Sequence, residues 1–238
     1  MIRFYRVLGL FVCSLVFFGA VGYGVHNVET YKDLEQYFKN LPINDSSVEE
    51  LCNAAMNSDD EYVKVLAIRR LGGMFEKGAK GVISEKTYKK AIDALLAGLE
   101  EGTDRIVRVG SRQVNPFWEV RGEAANALAK VNDPKTVPAM IKALRYDTDP
   151  IVQRNVALAL GKMKAKQAVP ALIDVLETTP DQGLAADIVR ALGEIGDKRA
   201  FGALIKVVRG NFMPKVKEMA QEALEKIQWA EEPEEVIR

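Results

Sequence analysis

Residues 149–178 read DPIVQRNVALALGKMKAKQAVPALIDVLET, and the fold follows from this stretch. Apolar side chains fall at Val152, Val156, Ala159, Leu160 and Met163, the three-and-four spacing that lays one apolar stripe along a helix. Asp149 stands where a carboxylate caps the first turn. Pro150 takes the first helical position, where its missing N–H costs nothing. The helix breaks at Lys164 to Gln167, and a second helix opens at Val169-Pro170, again with proline in the first turn.

This two-helix unit recurs. Residues 120–131, 152–163, 184–195 and 216–227 align without gaps, and the pairs Ala127-Leu128, Ala159-Leu160, Ala191-Leu192 and Ala223-Leu224 repeat every 32 residues. The second half repeats as well, in Val137-Pro138-Ala139-Met140-Ile141, Val169-Pro170-Ala171-Leu172-Ile173 and Phe201-Gly202-Ala203-Leu204-Ile205. Gly161 and Gly193 occupy the place of Ala129, so small residues there predict close approach of neighbouring helices. An earlier unit is stretched. Val63, Ala67 and Leu71 match Val120, Ala124 and Leu128 at an offset of 57, whereas Ala94-Leu95-Leu96 matches Ala139-Met140-Ile141 at 45. Against the period of 32, these offsets place inserted loops at about 75–87 and 101–117.

The pattern predicts an all-α solenoid of about four and a half two-helix units over residues 58–229. Capping helices within 23–57 precede it and an acidic tail, 230–238, follows. A helix is expected from Thr30 to Leu41, and Ser46-Ser47-Val48-Glu49-Glu50 reads as a capping box opening another to Asn57. The lone half-unit from Pro214 to Trp229 closes the array with Lys217, Glu218, Gln221 and Glu225 free to face water.

The units resemble HEAT repeats, specifically the short variety shared with phycobilin-lyase subunits. The likeness rests on Asp149-Pro150-x-Val152 with Ala157-x-Ala159-Leu160-Gly161, on Ala168-Val169-Pro170-Ala171-Leu172-Ile173, on the run Ile188 to Asp197, and on Asp133-Pro134 with Val137-Pro138. It covers roughly residues 58–228 and speaks for fold far more than for function. The valine–arginine pair of the family stands at Val120-Arg121 but becomes Val152-Gln153 and Leu184-Ala185, which predicts an incomplete charge ladder. The resemblance also implies that second helices line a concave face, here offering Lys135, Lys142, Arg145, Arg199, Lys206 and Arg209, interrupted by Asp174 and Glu177.

Composition narrows the function. The 238 residues carry 33 basic and 33 acidic side chains, which argues against a duplex nucleic-acid binder. One histidine and two cysteines leave little for a zinc site or a histidine-based centre, so no metal and no cofactor is expected. Having one histidine also excludes the iron-binding hydroxylases that share this repeat fold. The run Gly73 to Lys80 approaches a phosphate-binding loop but lacks the Gly-Lys-Ser/Thr ending and follows a helix. Gly72, Gly73, Gly78 and Gly81 therefore read as a helix stop and loop. Cys52 lies on an apolar stripe with Leu51, Ala55 and Met56 and reads as a buried, inert thiol. Glu100-Glu101 and Asp59-Asp60 read as helix-end and capping charges.

Arg3 and Arg6 precede an uncharged stretch, Val7 to Val28, that matches an export signal cleaved after Gly22 or an uncleaved anchor of 22 residues. Both readings place the rest of the chain outside the cytoplasm: in the bacterial periplasm, secreted, or tethered to the inner membrane. Without residues 1–22, 31 cations face 33 carboxylates. The second insertion carries Arg105, Arg108 and Arg112 and ends Asn115-Pro116-Phe117-Trp118, residue types enriched at binding hot spots. Phe117 and Trp118 could equally anchor the loop. The expected function is a non-enzymatic scaffold or adaptor that holds a protein partner through the concave face and the 101–118 loop. A lyase-like, chromophore-handling role and a membrane-tethered assembly factor are the alternatives.

Overall fold

The computed structural model describes residues 28–229. The leader read in residues 1–22 and the acidic tail at 230–238 lie outside the described residues, and among those described no helix is long and apolar enough to cross a membrane. Eleven α-helices follow in order: α1 (Val28–Asn40), α2 (Asp45–Asn57), α3 (Glu61–Glu76), α4 (Glu85–Leu99), α5 (Trp118–Val131), α6 (Val137–Tyr146), α7 (Pro150–Lys162), α8 (Val169–Thr178), α9 (Gln182–Ile195), α10 (Phe201–Arg209) and α11 (Pro214–Trp229). The first helices of successive units, α3, α5, α7, α9 and α11, pack one after another as the main row. The second helices α4, α6, α8 and α10 form the other row, α2 packs on both α3 and α4, and α1 rests on α3.

Local chemistry places the starts of these helices. Asp60, Asp149 and Asp181 cap α3, α7 and α9, each accepting from backbone N–H groups one or two residues into the helix, with Asp149 receiving Ile151 N at 2.8 Å. Asn44 caps α2 by accepting from Ser47 N at 2.9 Å, so the helix starts one residue before the expected capping box. The core runs the full length of the array. Leu71, Leu128, Leu160 and Leu192 occupy one register position and are all fully buried.

Two expectations need correction. Gly72 and Gly73 are not a helix stop, because α3 continues through both to Glu76. The chain turns only at Gly78, which takes a left-handed φ of 90°. Gly72 instead sits in the register of Gly161 and Gly193, and all three face an alanine of the next first helix. The second departure is in the 101–117 insertion, where the array is not all helical. Residues Val107–Val109 (β1) and Arg112–Val114 (β2) form an antiparallel hairpin pairing Val107 with Val114 and Val109 with Arg112. Gly110 takes the positive φ (62°) that a two-residue hairpin turn asks of its first central position.

Candidate partner-binding surface

The hairpin stands on a buried polar clamp. Arg121, fully buried, donates through Nε to Asp147 Oδ2 at 2.7 Å and through Nη2 to Asp147 Oδ1 at 3.1 Å. Its Nη1 donates to the Glu101 carbonyl at 3.0 Å and to the Pro116 carbonyl. One guanidinium therefore holds both ends of the insertion against the turn that leads into α7. Asn115, also buried, completes the base. Its Nδ2 donates to the carbonyls of Thr103 at 3.1 Å and Arg105 at 2.6 Å, and its Oδ1 accepts from Thr148 Oγ1 at 2.7 Å. In the stretched unit Lys64 takes the Arg121 register and reaches Glu101 at 2.9 Å. Gln153, next in that register, donates to the Leu144 carbonyl at 3.0 Å. The charge ladder is thus complete for two units and weakens to a neutral amide in the third. Neither Arg121 nor Asp147 was among the sequence candidates.

Above the clamp the hairpin projects into water. Ile106, Val107 and Val109 are exposed, Val109 to 63%, alongside exposed Arg105 and Arg108. Arg112 contributes backbone to β2, and its side chain lies outside the described residues. Phe117 and Trp118 part company. Phe117 holds the position that Asp60, Asp149 and Asp181 take elsewhere, but with a left-handed φ of 60° and no side-chain cap. Its ring packs on the core beneath the loop, and the Arg105 guanidinium lies 5.9 Å from its centroid. Trp118 is 38% exposed and lines a cleft of about 300 Å³ with Val65, Arg69, Glu123, Asn126 and Asn155, all on first helices. Phe117 anchors the insertion, whereas Trp118 belongs to the surface of the first-helix row.

The second-helix cations are not a free basic ridge. Lys142 Nζ meets Glu100 Oε1 at 2.8 Å, Arg145 Nη2 meets Asp174 Oδ2 at 2.6 Å, and Lys206 Nζ meets Glu177 Oε1 at 2.6 Å. The sign alternates from unit to unit, so each contact between α4, α6, α8 and α10 carries one exposed pair worth about 0–1 kcal/mol. Arg209 is exposed and has no partner among the described residues. Arg199 is tied to its own turn. It pairs with Asp197 at 2.8 Å and donates to the Lys166 carbonyl, and that guanidinium holds the Asp197 carboxyl down to about 2. At Lys135 the backbone N–H donates to Asp133 at 2.9 Å. Lys142, Arg145 and Lys206 thus serve inter-unit pairing, and the structure does not bring them together with Trp118.

Cys52 is buried between α2 and its neighbours, and desolvation pushes its thiol up to about 11. Native protein is expected to leave this thiol unmodified by an alkylating reagent at mildly alkaline pH, with reaction only on unfolding. Mass mapping of Cys52 before and after denaturant checks this, and rapid native labelling would contradict it. Among the described residues no group of three or more His, Cys, Asp or Glu side chains is placed to hold a metal ion.

The family described as HEAT repeats matches residues 111–188, and the PBS lyase HEAT-like repeat matches residues 184–210. Residues 111–210 thus match HEAT repeats. Among solved structures, the chain is similar to the complex of CpcE and CpcF of phycocyanin lyase from Nostoc sp., with a TM-score of 0.58 and 24% identity over 88% of this chain and 70% of that one. An archaeal HEAT-like repeats protein from Thermococcus onnurineus gives a TM-score of 0.49 and 15% identity over 89% of this chain and 85% of the other. No curated protein matches the sequence. At such identities the likeness is one of fold.

Proposed function

We propose that this HEAT-repeat chain is an exported, non-enzymatic scaffold that holds a protein partner, with the 101–118 hairpin as its principal contact. One observation carries the reading. The insertion replaces an aspartate cap with a left-handed Phe117, and a fully buried Arg121–Asp147 pair then secures it. A cap is worth about 1 kcal/mol and a non-glycine left-handed residue costs about 1–3 kcal/mol. The first helices α3, α7 and α9 start on an aspartate cap instead, although the stretched unit repeats the charge pair as Lys64 with Glu101. Local departures of this kind concentrate at functional sites. The exposed Ile106, Val107, Val109, Arg105 and Arg108 supply the apolar and cationic groups that interfaces use.

Export rests on Arg3, Arg6 and the uncharged stretch to Val28, with the bacterial periplasm as destination and residues 1–22 as signal or inner-membrane anchor. The intact mass of the protein from its host separates the cleaved form from the tethered one. The lyase-like alternative predicts a coloured protein, so a colourless chain from that host argues for the scaffold. Crosslinking in the host tests the reading directly. The double variant Arg105→Ala/Arg108→Ala is expected to melt as the parent does and to lose partner capture by at least about tenfold. Undiminished capture would remove the hairpin from the binding surface. Trp118→Ala, on the first-helix face, reports separately on the cleft.

A further inference from the structure

We infer that the outer edge of β1 is a docking strand for an extended acidic segment of a partner protein, which would add a third strand to the hairpin. The inference rests on the proposed scaffold role and specifies the chemistry of its partner. It begins with register. The two-residue turn Gly110-Ser111 makes Val109 and Arg112 a hydrogen-bonded pair, and the alternation of an antiparallel ladder makes Val107 and Val114 the next. The N–H and C=O groups of Val107 and Val109 therefore point into the hairpin. Those of Ile106 and Arg108 on one strand, and of Gln113 and Asn115 on the other, point outward. The structure agrees at the one outward group it satisfies. Asn115 N donates to Thr148 Oγ1 at 3.0 Å, so the framework closes part of the β2 edge. On the β1 edge the main-chain groups of Ile106 and Arg108 have no hydrogen-bond partner among the described residues.

Open edges are usually blunted by short length, charged side chains, proline or bulges. β1 has no proline or bulge, but it is only three residues long and carries Arg108, which restricts pairing to a short segment of opposite charge. Its base is fixed by buried Asn115 and Arg121, so such a segment would meet an ordered template. Side-chain alternation sets the rest. Val107, Val109 and half-buried Val114 share one face, whereas Ile106 and Arg108 project on the other, flanked by Arg105. The fitting segment alternates apolar residues, which lie beside the valines, with carboxylates, which lie beside Arg108. Main-chain bonds to Arg108 give affinity and the alternation gives specificity.

The test uses the full chain and a short fluorescein-labelled peptide alternating valine and glutamate, read by anisotropy. Arg108→Pro removes an outward N–H together with the guanidinium and leaves the β1–β2 pairing intact, as proline is tolerated on edge strands. Protection of the Val109 amide in hydrogen exchange verifies the hairpin. Arg108→Pro and, independently, Arg108→Glu are each expected to weaken binding by at least about tenfold. A peptide of the same composition with its glutamates in one block should bind as weakly as the variants bind the alternating one. Equal affinity of parent and both variants overturns the inference, as does self-association of the parent through this edge. Absence of peptide binding to the parent also overturns it, yet leaves the scaffold reading to the crosslinking result.

Discussion

An Asp147→Ala variant is expected to lose about 3–5 kcal/mol of stability, because it strands a buried guanidinium without its counter-charge. Arg121 and Asp147 side chains are 0% and 1% exposed, so water cannot replace the lost oxygen atoms. Asp147 Oδ1 also accepts from Asp149 N at 2.9 Å, so the turn that leads α7 into its cap loosens at the same time. For a chain of this size the loss corresponds to a fall in melting temperature of roughly 10 °C. The damage should begin locally. Hydrogen exchange is expected to open the hairpin and the start of α7 before the C-terminal units, since a repeat array shares stability mainly between neighbours. The double variant Arg121→Met/Asp147→Leu removes both charges while keeping an apolar filling, and it should recover much of the stability. It cannot recover the hairpin, because the carbonyls of Glu101 and Pro116 lose their common donor. A double variant no more stable than Asp147→Ala would show that hydrogen bonding to the loop, and not charge pairing, dominates the clamp.

Parts of this arrangement are legible in the sequence. The period of 32, the aspartate–proline starts and the small residues at positions 161 and 193 are local or strictly periodic, so they survive translation into structure. The hairpin carries its own signal: Ile106 to Val114 alternates partly apolar and polar residues around Gly110, as two short strands do. A helical array biases the reading of such a short run toward a loop. The ladder on the second helices was also present in the alignment, where Glu100, Arg145, Glu177 and Arg209 fall at equivalent positions with alternating sign. Asp174 and Glu177 look like interruptions of a basic ridge until adjacent helices are placed side by side. Arg121 and Asp147 are different. They lie 26 residues apart at opposite ends of one unit, Arg121 in the first turn of α5 and Asp147 just after α6, and meet only because the packing of the two helices brings those ends together in space. No spacing rule along the chain anticipates that.

Gly161→Val is expected to push the first-helix row apart without removing any charge or buried side chain. A Cβ at Gly161 would lie 2.7 Å from Ala191 Cα and 3.0 Å from Ala191 Cβ. The nearest neighbour is backbone, so relief requires α9 to move away from α7 along its length and not a change of rotamer. Overpacking of this kind costs about 1–3 kcal/mol, and the stiff branched side chain places it at the upper end. A sharper comparison uses Gly72 and Gly73, adjacent residues within α3. A Cβ at Gly72 would meet Ala127 Cα and Cβ at 2.9 Å, whereas a Cβ at Gly73 meets nothing within 4 Å. Replacing a mid-helix glycine with alanine gains about 1 kcal/mol of helix propensity wherever space allows. Gly73→Ala should therefore raise the melting temperature and Gly72→Ala should lower it, although the two changes are chemically identical and one residue apart. Were the pair a loosely packed helix stop, both substitutions would shift stability in the same direction. Opposite signs, measured by thermal unfolding of the two variants, would mean that the spacing of the first-helix row is set by contact between a glycine backbone on one helix and an alanine on the next.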